Sequence, residues 1–211
     1  MWVLILTVVI VVSAALTISA EYRGSRRTVY LFKPLATLCL ILLALVPKYP
    51  VTHFYRYMIV AGLVCSLAGD VLLMLAADRF VQGLISFLVA HLCYIAAFVF
   101  AGERAVVYVW AVPPLLLYGG LMLCWLWPVP GRMKAPVVIY MLVILLMGLT
   151  ALSRYVETKQ NWSLLAALGA LLFIASDSLL AVNKFRGRFR VAQLLILSTY
   201  FTAQWLIALS T

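Results

Sequence analysis

The sequence predicts an all-α integral membrane protein of eight transmembrane helices, a single transmembrane domain over residues 1–211. Three observations lead there. Of the 211 residues, 67% are hydrophobic and 10% charged, against roughly half apolar in soluble domains. The apolar residues gather into runs long enough to cross a bilayer as helices. And two of these runs share a pattern, "AGDVLL" from Ala68 and "ASDSLL" from Ala175, which points to a parallel four-plus-four repeat with halves 1–104 and 105–211.

The predicted spans are about 2–20, 30–46, 54–76, 80–100, 106–127, 135–152, 162–182 and 191–209. The first lacks the basic leader and short apolar stretch of a signal peptide, so it reads as a membrane helix. The interruptions carry charge or turn residues: "EYRGSRR", "PKYP", "ADRF", "GERA", "PVPGRMK", "SRYVETKQN" and "NKFRGRFR". Backbone inside lipid must satisfy its own hydrogen bonds, so each span is a helix rather than an open strand. Lys33 precedes Pro34, which suits the first turn of the second span. Pro113 and Pro114 kink the fifth span or start it late, and "YGGL" from Tyr118 allows another helix to come close.

Charge sets the orientation. Arg23, Arg26, Arg27, Lys33, Arg79, Arg132, Lys134, Lys184, Arg186, Arg188 and Arg190 fall at one end of the spans. Only Lys48, Arg56, Arg104, Arg154 and Lys159 fall at the other. The basic end is expected in the cytoplasm. Both termini then lie outside, or in the periplasm, of a bacterial cell (inner) membrane. The net charge of +10 is thus spent on short loops and lipid head groups. It forms no basic stripe on a soluble domain, and nucleic acid is not an expected partner.

The repeat extends beyond the two aspartates. "KPLA" opens span two at Lys33 and "KAPV" opens span six at Lys134, a shift of 101 residues; Asp70 and Asp177 are 107 apart. Four spans is an even number, so both halves insert in the same direction, related by an axis along the membrane normal.

Of the six acidic residues, Glu21, Asp78, Glu103 and Glu157 sit in loops or at span ends. Asp70 and Asp177 sit inside apolar spans, at matched depth near the basic end. An acid there costs at least ~2.5–3.5 kcal/mol on insertion scales, so it faces a partner or a wet cavity. Helical spacing groups further polar residues. Gly83, Phe87, His91 and Tyr94 share one stripe of span four. Gln193, Tyr200 and Gln204 share a face of span eight, with Thr199 beside it. Ser66 stands one turn before Asp70, placed to bond that carboxylate or its own backbone. Lys33 reads as a counter-ion to an aspartate or a clamp for a lipid phosphate. These residues suit one polar cavity between spans three, four, seven and eight. Cys39, Cys65, Cys93 and Cys124 lie in apolar spans and read as small hydrophobes. One histidine with two aspartates is a sparse ligand set, so no metal is expected.

The motifs "FKPL" (Phe32 to Leu35), "CSLAGDVLL" (Cys65 to Leu73), "FVQGLISFLVAHLCY" (Phe80 to Tyr94), "GALLFIASDSLLA" (Gly169 to Ala181) and "STYFTAQWLI" (Ser198 to Ile207), in this order, resemble the lysoplasmalogenase family of eight-span membrane proteins, the YhhN group. In the last motif Phe201 stands where a second tyrosine is expected. The resemblance implies hydrolysis of the vinyl ether bond of a lysoplasmalogen to a fatty aldehyde and a glycerophospho-ethanolamine or -choline, with no cofactor. A lysophospholipid and the surrounding membrane lipids are the implied partners.

Two carboxyls suit that chemistry, since protonating the vinyl ether carbon makes an oxocarbenium ion that water traps. Asp177 is assigned as proton donor and Asp70 as water-orienting base, although the sequence leaves the two interchangeable. Lys33, Ser66, His91, Tyr94, Tyr200 and Gln204 would position substrate and water. Three other readings stay open: a hydrolase of another lysolipid or of ceramide, a small proton-coupled transporter, and a structural lipid-binding protein.

Overall fold

Long apolar runs bounded by charge form helices here because a helix satisfies all its backbone hydrogen bonds within one span. The structure is a computed structural model that describes residues 1–75, 79–100, 107–127, 129 and 131–211. Among the described residues there are eight long helices: α1 (Trp2–Arg23), α2 (Arg26–Leu45), α3 (His53–Met74), α4 (Phe80–Val99), α5 (Val112–Leu126), α6 (Gly131–Thr158), α7 (Asn161–Phe185) and α8 (Ala192–Leu209). All eight are long and apolar enough to cross a membrane. The chain is an integral, multi-pass membrane protein. Asp78, Glu103 and Arg104, and the proposed boundary between the repeat halves, lie outside the described residues.

Six helices form a closed ring. α2 packs on α3, α3 on α4, α4 on α6, α6 on α7, α7 on α8, and α8 back on α2. α1 lies outside the ring against α2 and α8, and α5 lies outside it mainly against α6. α7 and α8 approach closely at Gly169, where a β-carbon would stand 2.8 Å from the Ala203 carbonyl oxygen and 3.2 Å from the Ile207 nitrogen.

Several helix ends differ from expectation. α2 starts at Arg26, so Pro34 is two turns inside it rather than in its first turn. Gly24, at φ 69°, closes α1 in the left-handed region and turns the chain straight into α2, which lets the basic stretch stay helical. α5 starts late, at Val112, with proline in its first turn after a 3-10 turn over Val109–Ala111. In "YGGL" only Gly119 meets a neighbour, Leu145 of α6; Gly120 meets nothing.

α6 extends beyond its predicted span at both ends, and this relocates Arg154. It is not a loop residue. It is buried, and its guanidinium donates to the carbonyls of Phe98 (2.8 Å) and Val99 (2.7 Å) and to Glu157 at 2.5 Å. It therefore satisfies carbonyls that the end of α4 leaves without intrahelical donors. Lys48 also ties down the end of α2, donating to the carbonyls of Leu43 and Val46 at 2.6 and 2.8 Å.

Candidate active site

Asp70 comes from α3 and is 1% exposed. Lys33 of α2 places Nζ 3.1 Å from Oδ1. Thr37, one turn further along α2, donates to Oδ2 at 2.9 Å, and Tyr200 of α8 donates to the same oxygen at 2.7 Å. Every one of these partners is a donor, which is the environment of an ionised carboxylate. The donors continue inward as a directed chain. Gln204 donates to Tyr200 (3.3 Å), and Tyr94 of α4 donates to Gln204 (2.8 Å). α8 and α4 thus meet through side chains whose polar atoms lipid could not satisfy.

Asp177 comes from α7 and has a different set of neighbours. Tyr140 of α6 donates a hydrogen bond to its Oδ2. His91 of α4 sets Nε2 2.9 Å from the Tyr140 hydroxyl and 3.4 Å from Asp177 Oδ2. With Tyr140 donating to the carboxyl, its hydroxyl oxygen is left to accept from Nε2, and Nδ1 is buried with no hydrogen-bond partner among the described residues. Both contacts use Oδ2. Among the described residues nothing bonds Oδ1, and the side chain remains 14% exposed.

The two aspartates share a cavity of about 770 Å3. Its walls include Lys33, Asp70, Asp177, Gln193 and Tyr200, and its rim carries the exposed Glu21, Lys184 and Arg188. A second, narrow space of about 50 Å3 runs between α4, α6 and α7 and is almost wholly apolar, lined by residues such as Leu84, Val137, Met141, Ile144 and Ile174. Asp177 borders both spaces, together with Leu73, Phe80, Phe87 and Leu180. Between the two carboxyl clusters the rings of Phe87, Phe173 and Tyr200 meet edge to face, with centroids 5.6–6.3 Å apart.

Most residues expected at the site gather there, with some changes of partner. His91 reaches Asp177 and Tyr140, and among the described residues it makes no contact with Asp70. Tyr94 touches neither acid directly. Ser66 is buried but makes no hydrogen bond to Asp70 or to its own helix. Thr199 bonds back to its own helix, to the carbonyls of Leu195 and Ile196. Lys134 does not mirror Lys33 and instead stacks over Trp127 with Nζ 4.4 Å from the ring centroid. Phe201 packs against Tyr200. Thr37 and Tyr140 were missed. Thr37 could have been found at i+4 from Lys33, on the same face; a lone tyrosine such as Tyr140 gives no comparable signal in a membrane span. Among the described residues no three His, Cys, Asp or Glu side chains converge.

The profile of the YhhN family matches residues 28–211, which contain every residue of both carboxyl clusters. The chain belongs to the YhhN family. It is 30% identical over 204 residues to the membrane protein YhhN of Escherichia coli O157:H7, covering 96% of each chain. It is 37% identical over 182 residues to the lysoplasmalogenase TMEM86A of Bos taurus, covering 84% of this chain and 74% of that one. A lysoplasmalogenase of Mycobacterium bovis is 32% identical over 157 residues, covering 71% of this chain and 58% of that one. No solved structure matches the chain. The relatives of this chain thus include proteins named as lysoplasmalogenases in both a mammal and a bacterium.

Proposed function

We propose that this protein is a lysoplasmalogenase-type hydrolase, which cleaves the vinyl ether bond of a lysoplasmalogen to a fatty aldehyde and a glycerophospho-ethanolamine or -choline. The names of the relatives support the activity. The observation that carries the mechanism is the position of Asp177, at the junction of a large polar cavity and a narrow apolar slot. A lysolipid with its head group in the cavity and the first carbons of its single chain in the slot presents the bond between them to Asp177.

The acid form of Asp177 gives its proton from Oδ1 to the vinyl carbon one removed from the ether oxygen. The electron pair of the double bond forms the new C–H bond, and the adjacent carbon becomes an oxocarbenium ion. Water adds to that carbon and yields a proton to a carboxylate. The hemiacetal then collapses to aldehyde and free glycerol hydroxyl, for a net uptake of one water. Asp70, held by Lys33, Thr37 and Tyr200, is the carboxylate that orients the water and faces the developing cation. Tyr140 and His91 hold the Asp177 carboxyl in one rotamer, leaving Oδ1 to the substrate. Gln204 and Tyr94 fix the Tyr200 hydroxyl on Asp70.

Incubating the purified protein with a panel of lysolipids and identifying products by mass spectrometry tests this. Aldehyde should come from the vinyl ether lipid, and each of Asp70→Asn and Asp177→Asn should lose about 10²–10⁴-fold in rate. Faster release from ester or amide lipids would assign the site to that class of hydrolase instead.

A further inference from the structure

The slot beside Asp177 is short. Its volume of about 50 Å3 takes about four water-sized groups at ~10–15 Å3 each, far fewer than the carbons of a fatty chain. Among its walls on α6 and α7, Ile144 and Ile174 lie farthest from the basic end. Ile174 is also a wall of another space, a groove of about 350 Å3 between α5, α6 and α7, which Leu115, Leu152 and Leu171 help to line. The groove continues away from the basic end. Leu171 precedes Asp177 on α7 by six residues, or about 9 Å of helix. Gly148 of α6 makes room for Ile174, since a β-carbon there would stand 2.6 Å from Ile174 Cδ1. Ser178 donates to the Ile174 carbonyl at 2.7 Å. That commits its one proton, so Tyr118 donates to Ser178 Oγ at 2.6 Å. Tyr118 lines the groove and Ser178 the slot, so this bond pins α5 to α7 where the two spaces meet. Trp110, Pro114 and Tyr118 are exposed along the α5 wall, so the groove opens toward lipid.

We propose that the groove between α5 and α7 is a second binding site, outside the ring of helices, for the distal part of a long alkyl chain, and that Ile174 sets the chain length the protein prefers. The occupant follows from chemistry and continuity. The groove walls are apolar apart from the Tyr118 hydroxyl, already bonded to Ser178, and the indole of Trp110, so the ligand there is hydrocarbon. The Ile174 side chain is the wall that slot and groove share. A short chain stops against it. A long chain displaces it and gains the packing surface of the groove. Because the alternative surroundings of the chain are also apolar, the gain comes from contact with the walls and not from leaving water, and it is modest. Ile174 is therefore a specificity-determining residue for chain length.

The proposal rests on the lysolipid reading above, and its test is kept apart from hydrolysis by using alkyl ether lysolipids, which lack the double bond that is protonated. A sixteen-carbon lysolipid with a diazirine at its chain end is irradiated with the full chain in detergent micelles, and the labelled residues are read by mass spectrometry. Label should fall on residues 110–118 and on Leu171, and excess unlabelled sixteen-carbon lipid should displace most of it. The eight-carbon form should label the slot instead, at Met141 and Ile144. Ala175→Phe, which fills the groove from α7, and Leu115→Phe, which fills it from α5, should each remove the groove label and keep the slot label. Ile174→Ala, which removes the shared wall, should raise the ratio of sixteen- to eight-carbon affinity about threefold over the wild type. Label scattered over the lipid-facing helices and not displaced by unlabelled lipid overturns the proposal. So does displaceable label confined to helices other than α5 and α7, groove label unchanged in both filling variants at an unchanged melting temperature, or an unchanged affinity ratio in Ile174→Ala. Absence of aldehyde release from vinyl ether lipids overturns the hydrolase reading and not the chain site, which the label decides.

Discussion

Asp70 and Asp177 are chemically identical side chains given opposite surroundings. Asp70 meets an ammonium and two hydroxyl donors; Asp177 meets one tyrosine and a histidine behind it, with one oxygen unbonded among the described residues. Tyr140 is the residue that distinguishes them most sharply. Tyr140→Phe should lower kcat about 10- to 100-fold while KM changes little, because the carboxyl loses its rotamer rather than its substrate contacts; steady-state kinetics on the vinyl ether lipid check this. Lys33→Met should reduce activity by at least as much, because it leaves Asp70 buried with a charge and no counter-ion, and it should also lower the melting temperature. The acids were legible in the sequence because a carboxylate in an apolar span has few explanations. Their partners were less so: His91 is on the right face of α4, but which acid that face meets depends on packing between the two halves of the chain.

At the scale of the helices, side chains from elsewhere close the ends of α2 and α4. Arg154 ties α6 to the last carbonyls of α4, so Arg154→Met should cost roughly 1–3 kcal/mol for each carbonyl left buried without a donor. A thermal melt in detergent reads this, and the site at the other end of the bundle should keep its affinity for lysolipid. Gly169→Ala pushes a methyl into the Ala203 carbonyl and the backbone of Ile207, so it should destabilise the α7–α8 pair by about 1–3 kcal/mol. Span number and order were legible because hydropathy reports them directly. The ends were not. Polar residues such as Arg154 and Arg26 look like loop to a hydropathy reading, yet they remain helical when their side chains find carbonyls or reach the interface.

The whole molecule is a ring of six helices with two outriders, and its polar interior is built by a crossed exchange. Asp70 of α3 is served by α2 of its own half and α8 of the other; Asp177 of α7 is served by α6 of its own half and α4 of the other. We propose that this exchange reflects the parallel four-plus-four repeat, and that the basic end of the ring is cytoplasmic with both termini outside. Reporter fusions at each terminus of the full chain should both read as external; an internal reading at either end reverses the orientation.

The central claim is that a carboxyl of this site protonates carbon. Hydrolysis of the vinyl ether lipid in D2O, with the aldehyde reduced as it forms, tests it most directly by mass spectrometry. The account predicts one deuterium on the carbon next to the former carbonyl, and its disappearance along with the product in Asp177→Asn. Aldehyde released without deuterium at that carbon, or at an unchanged rate from Asp177→Asn, would contradict it.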